Sequence, residues 1–186
     1  MTRLPATSAF VAVCIATFAC SQSATIAHAQ QTWRSLTPSS VATPAFWLLL
    51  LPSAVFHSGP WHLITNTLAF IPLAAFNETR AGFARTSAFI VICAAIASAA
   101  QLLIGGHGDV GSSGVVFGML GWALISPRRT PALSAFAVAL LAWFVYCFFA
   151  NAFFGAHYGN ASHTAGLLFG VLTSFIEYQS SRRGSI

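Results

Sequence analysis

Apolar runs punctuated by glycine, proline and arginine recur along almost the whole chain, near residues 8–28, 62–77, 86–104, 113–126, 131–154 and 161–178. Each is bounded by residues that turn or end helices, so each reads as a helix. Nothing in the composition could cover such helices with a water-facing surface. Charged residues are 6% of the 186 and hydrophobic ones 56%, with a mean hydropathy of +0.75, whereas soluble domains carry about 25% charge. A spanning helix takes roughly 20 residues, so six with short loops nearly use up the length. The expected fold is an all-α membrane protein, one membrane domain over residues 1–186 with six transmembrane helices and an external loop at 29–61. No soluble second domain fits, and no repeat or low-complexity tract stands out.

The formal charge of +5 comes from eight arginines and no lysine, set against Glu78, Asp109 and Glu177. The arginines are scattered through short loops, so they set orientation in a bilayer, and no nucleic-acid partner is expected. Arg80 and Arg85 follow the second run, Arg128 and Arg129 the fourth, and Arg182 and Arg183 the sixth. With Arg3, seven of the eight share one side. By the positive-inside rule that side is the cytoplasm, which predicts a multi-pass plasma-membrane protein with both termini inside and Arg34 outside. The first run has two readings. Arg3, a short apolar core and Ala27-His28-Ala29 before Gln30 resemble a cleaved secretory signal. A retained helix instead delivers the chain to the outside, as the six-helix plan needs.

The stretch from Gln30 to Trp61 is long for a plain connection, and Ala45 to Phe56 is apolar with aromatics but too short to span, which suggests a part-inserted interfacial loop. Cys14, Cys20, Cys93 and Cys147 lie in apolar stretches without metal-type spacing and read as packing residues.

Polar groups inside spans are costly and gather where they are used or paired. Here they gather at the starts of the second, fourth and sixth runs, as His62 with Asn66, Ser113, and His163. With the amino terminus inside, these helices all begin at the outer side. From each start to its inner end the rise is about 20 to 22 Å against a core of roughly 30 Å, which puts the three groups at one depth, about 8 to 10 Å below the outer boundary. Gly111, Gly114, Gly118 and Gly121 recur at three- and four-residue steps, and Gly166 and Gly170 do likewise beneath His163, so the fourth and sixth helices have the means to approach closely. Taken alone, such stripes merely pack helices.

A serine hydroxyl needs a nearby base, and histidine has a suitable pKa. The Ser113 amide lies at a helix start, where donors are unsatisfied, and His62 and Asn66 at i and i+4 share one face, so together they could hold an oxyanion. The constellation is a Ser-His dyad with an oxyanion hole.

At this point the residues resemble a known family. Gly111-Ser112-Ser113-Gly114 resembles the GxSG motif of the rhomboid proteases; His57, His62 and Asn66 resemble the family's histidine-rich approach to its second helix, with HxxxN; and His163-Thr164-Ala165-Gly166, with Gly170 beyond, resembles its HxxG motif. The likeness runs from about His57 to Tyr178. It implies a six-transmembrane-helix rhomboid-like bundle acting as an intramembrane serine endopeptidase on single-span membrane proteins, in or near their transmembrane segments. It implies Ser113 as nucleophile, His163 as base and then acid, His62, Asn66 and the Ser113 amide as oxyanion donors, and Gly111, Gly114, Phe117, Gly166 and Gly170 as support. Phe117 stands where the family commonly has tyrosine. Trp33-Arg34 resembles the family's external-loop Trp-Arg pair, but 27 residues separate it from His62, which points to an insertion. The mechanism calls for no cofactor and no metal.

Other readings stand beside these. His62 and Asn66 also read as a structural pair, His57 as hydrogen-bonded within its loop, His28, His107 and His157 as solvated, and Asp109 as a solvated turn residue. A rhomboid-like protein that binds transmembrane clients without cutting them is the main rival, and a small-solute transporter a weaker one, because no paired halves with broken helices are evident.

Overall fold

A computed structural model describes residues 3–126 and 129–183, with side chains described to residue 180; Arg128 and the side chains of Arg182 and Arg183, invoked above for orientation, lie outside the described residues. The described residues form helices and no strand: α1 (Pro5–Ala19), α2 (Ala24–Ser35), α3 (Pro44–Leu49), α4 (Pro60–Ala81), α5 (Phe83–Leu103), α6 (Ser113–Leu124), α7 (Pro131–Phe154) and α8 (Asn160–Arg183). Proline opens α1, α3, α4 and α7, where its missing N–H costs nothing.

The first apolar run departs from the expected single helix at 8–28. It breaks after Ala19 and resumes at Ala24 with a bend of 103°. The cause is the polar stretch Cys20-Ser21-Gln22-Ser23, in which Ser23 Oγ accepts from the Ile26 amide and starts a new helix. Helix α2 is polar outside and turns Trp33 into a second apolar cluster with Leu36, Phe46, Phe56, Leu102 and Val110. In the stretch Ala45 to Phe56, α3 and a short 3₁₀ turn at Pro52–Ala54 pack with α2 into a cap, while Trp47 and Leu48 on α3 point outward at 65% and 73% exposure.

Helix α6 is the axis of the bundle, with every residue from Gly114 to Ala123 buried. Val115, Met119, Leu120 and Trp122 pack with Phe70 and Leu73 of α4 and Phe89 and Cys93 of α5. Helices α6 and α8 touch through backbone: a Cβ on Gly166 would collide with the Gly114 carbonyl, and one on Gly170 with the Gly118 carbonyl. Helix α7 buries little beyond Ala137, Cys147 and Ala150 and turns the rest of its apolar surface outward. By length and composition α5 and α7 can each cross a membrane, and α1 with α2 would add a third span if the bent pair counts as one. Helix α6 is 12 residues long, and α4 and α8 are diluted by inward-facing polar groups.

Toward the ends of α4 and α8 away from Ser113 those groups are paired. Glu78, 4% exposed, accepts from the Ala6 amide at 2.8 Å and from the Thr7 amide at 2.9 Å. A buried carboxylate from the end of α4 thus satisfies two orphan donors of α1 and complements its helix dipole. Asn77 Nδ2 donates to the Met119 carbonyl at 2.9 Å, and Trp122 Nε1 to Glu177 at 2.9 Å.

Candidate active site

Ser113 is the first residue of α6, so its amide is among the four that no intrahelical carbonyl reaches. The chain arrives through Gly111 at φ 134°, a conformation L side chains rarely adopt. Space is a second reason for glycine there, because a Cβ would lie 2.6 Å from His62 Cε1 and 2.7 Å from its Nε2. The Gly111 amide donates to the Ser53 carbonyl at 3.1 Å, which ties the approach to the cap.

His163 enters from the first turn of α8, its amide donating to the Gly159 carbonyl at 2.9 Å. Its Nε2 lies 2.9 Å from Ser113 Oγ. The Phe117 ring, one turn below Ser113, packs against the imidazole at 4.6 Å between centroids and 45° between planes. Phe144 of α7 backs Phe117 at 5.4 Å. His163 is 4% exposed, and its Nδ1 meets no hydrogen-bond partner. No described carboxylate therefore orients the ring; packing does.

Asn66 is 8% exposed on α4, and its Nδ2 is also buried without an acceptor. Asn66, Ser113 and His163 line one cavity of about 240 Å³, shared with Thr65, Val116, Phe117 and, from α7, Leu140 and Trp143. A carbonyl seated there would face the hydroxyl, the imidazole and an unspent amide donor at once. His62 stands beside it against Gly111, with Nδ1 held at 2.9 Å from Ser58 Oγ. On the other side of Ser113, Gln101 Oε1 accepts from the Ser162 amide at 3.2 Å.

His57, expected to bond within its loop, is tied beyond it as well. The ring is 2% exposed, with Nδ1 3.1 Å from the Val55 carbonyl and Nε2 3.2 Å from Ser112 Oγ. Burial, reinforced by neighbouring His62, pushes His57 down to about 4. Asp109 is half-buried in its turn, where Oδ1 accepts from the Val110 amide at 2.7 Å and its carbonyl from Trp33 Nε1, also at 2.7 Å. Trp33, fully buried, thus joins the cap to the loop before Ser113, while Arg34 is exposed. His28, His107 and His157 are exposed. Gly114 and Gly166 meet directly beneath the Ser113–His163 contact, and Gly170 repeats the approach one turn lower. No group of three metal-ligating side chains occurs among the described residues.

A family model described as "Rhomboid domain" matches residues 29–180. Among curated proteins, the rhomboid protease GlpG of Yersinia pestis (strain Pestoides F) is 27% identical over 138 residues, covering 70% of this chain and 48% of the relative. The rhomboid protease GlpG of Yersinia pseudotuberculosis serotype O:3 (strain YPIII) gives the same figures, 27% over 138 residues with 70% and 48% coverage. That of Yersinia enterocolitica serotype O:8 / biotype 1B (strain NCTC 13174 / 8081) is 28% identical over 138 residues with 70% and 48% coverage. The chain spans about half the length of the curated relatives it matches.

Proposed function

Since the chain belongs to the rhomboid family, we propose that it is an intramembrane serine endopeptidase cutting single-span membrane proteins in or near their transmembrane segments. The observation that carries this reading is the 2.9 Å approach of His163 Nε2 to Ser113 Oγ, made inside a cavity that also receives the unpaired Asn66 amide.

In this reading Ser113 Oγ attacks the scissile carbonyl while His163 Nε2 takes its proton, which requires the imidazole hydrogen to sit on Nδ1. The oxyanion is held by the Ser113 N–H, Asn66 Nδ2 and His62. On collapse, His163 returns the proton to the leaving amine. Water then attacks the acyl-enzyme ester, with His163 again as base, and releases the new carboxylate and Ser113. Phe117 and the glycine contacts keep the imidazole in place in the absence of an orienting carboxylate.

The membrane plan belongs to the same proposal. Helices α1, α4, α5, α6, α7 and α8 form the six spans of a plasma-membrane protein, with α6, 12 residues long and buried along its length, at the centre. Both termini are cytoplasmic, by the arginine distribution. Reporters after Asn77 and at the carboxyl terminus should be cytoplasmic, and those near Gly108 and Gly159 outside. An outward carboxyl terminus would overturn this orientation.

The decisive experiment incubates purified protein with a panel of single-span substrates in liposomes and labels it with a serine-reactive phosphonate. Cleavage and labelling at Ser113 support the protease. Capture of substrates with neither cleavage nor labelling would establish the client-binding alternative instead.

A further inference from the structure

At the opposite end of the bundle from Ser113, the ends of α4, α6 and α8 and the start of α5 line an open cavity of about 780 Å³. Arg80, Arg85 and Ser180 supply cationic and hydroxyl groups to it, with Glu177 as its carboxylate. That carboxylate is already engaged, accepting from Trp122 Nε1 at 2.9 Å and lying 3.6 Å from Arg80 Nη2. The other acid on α4, Glu78, is turned away to cap α1. Among the described residues Arg80 has only long polar contacts here, the second being to Asn77 Oδ1 at 3.4 Å. Arg85 is exposed and has no acidic partner among the described residues. The cavity therefore carries a surplus of guanidinium charge.

Its walls are not uniformly polar. Ile125 and Ile176 also line it, at 37% and 55% exposure, and face outward beside the arginines. A free anion would have no use for that apolar wall, whereas a phospholipid has a phosphate for the guanidinium groups and a glycerol and acyl segment for the isoleucines. The level agrees, because these residues end the helices, where a bilayer places its headgroups. Arginine is suited to the task through its fork of donors.

We propose that this cavity seats the phosphate of an anionic phospholipid, bound between Arg80 and Arg85 with its acyl chains running out past Ile125 and Ile176. The site is independent of the catalytic reading, since no residue of it belongs to the dyad or its cavity.

Native mass spectrometry of the full chain, offered equal phosphatidylglycerol and phosphatidylcholine, tests it. The wild type should retain phosphatidylglycerol preferentially, and Arg85→Gln should reduce that retention about fivefold, the equivalent of ~1 kcal/mol for an arginine near an anionic surface. Arg34→Gln, changed at the other end, should leave retention as in the wild type. Arg80→Gln also loses the Glu177 contact, so it is read only if its melting temperature is unchanged, and Arg85→Gln stands without it. Equal retention of the two lipids, or undiminished phosphatidylglycerol on Arg85→Gln, would overturn the proposal. Displacement of phosphatidylglycerol by an equimolar amount of inorganic phosphate would overturn the lipid as occupant, leaving a free-anion site.

Discussion

His57 Nε2 lies 3.2 Å from Ser112 Oγ, so a buried imidazole in the cap is bonded to the residue immediately before Ser113. The Val55 carbonyl can only accept, which fixes the hydrogen on Nδ1 and makes Nε2 the acceptor of the Ser112 hydroxyl. Protonation would turn both nitrogens into donors and place a charge in a dry site beside His62, whose ring is 5.2 Å away.

A pH dependence of stability follows. His57 is lowered from 6.5 to about 4, so between these values the unfolded chain binds more protons than the folded one. Its contribution is fully present above pH 6.5 and is lost as pH falls toward 4, with a total of order 3 kcal/mol at about 1.36 kcal/mol per pKa unit. The melting temperature of the wild type should fall between pH 7 and pH 4 more steeply than that of His57→Asn. Parallel curves would sink this assignment. Ser112→Ala should be mild by comparison, at about 1 kcal/mol, because it removes one neutral hydrogen bond.

For the dyad, Ser113→Ala and His163→Ala should each remove detectable proteolysis and leave an inserted, folded protein. The double variant should be no worse than either single one, because nucleophile and base act as a unit. Phosphonate labelling should vanish with Ser113→Ala. Normal cleavage by that variant would falsify the nucleophile assignment.

Gly166→Ala places a methyl against the Gly114 carbonyl, one turn below His163 and one residue from Ser113. Overpacking of this kind costs about 1–3 kcal/mol, and the relief available is to part α6 from α8, which parts Ser113 from His163. The variant should unfold earlier in a denaturant titration and turn over more slowly. Wild-type values for both would mean that the two backbones have room to spare.

Much of this arrangement is legible in the chain. The glycine steps at 114, 118 and 121 and at 166 and 170 point to a close helix pair, because small residues let two backbones approach. Family membership is legible in three short motifs. The break after Ala19 is not, because hydropathy averaged along the run masks Cys20 to Ser23, and the destination of Trp33 depends on Asp109, far away in sequence. The His57–Ser112 bond is hidden likewise, since it joins two segments whose register is set only when the cap folds. The fixing of His163 by packing on Phe117 leaves no sequence signal beyond an aromatic residue four positions after Ser113.

The remaining prediction concerns Asn66, whose Nδ2 is buried without an acceptor while it lines the cavity shared with Ser113 and His163. Leaving a buried donor unpaired costs about 1–3 kcal/mol, a cost that is recovered if an oxyanion forms there. An interaction made only as negative charge develops lowers the barrier without tightening substrate binding. Asn66→Ala should therefore lower kcat by about 10²-fold with little change in KM. Activity should be weakened rather than abolished, because the Ser113 amide and His62 remain. Since the variant deletes an unsatisfied group, its thermal stability should equal or exceed that of the wild type, which separates this role from a structural pair with His62. Measuring kcat and KM on one substrate, alongside a melting curve, decides the matter. An unchanged kcat with a raised KM would reassign Asn66 to substrate binding, and a marked loss of stability would restore the structural pairing.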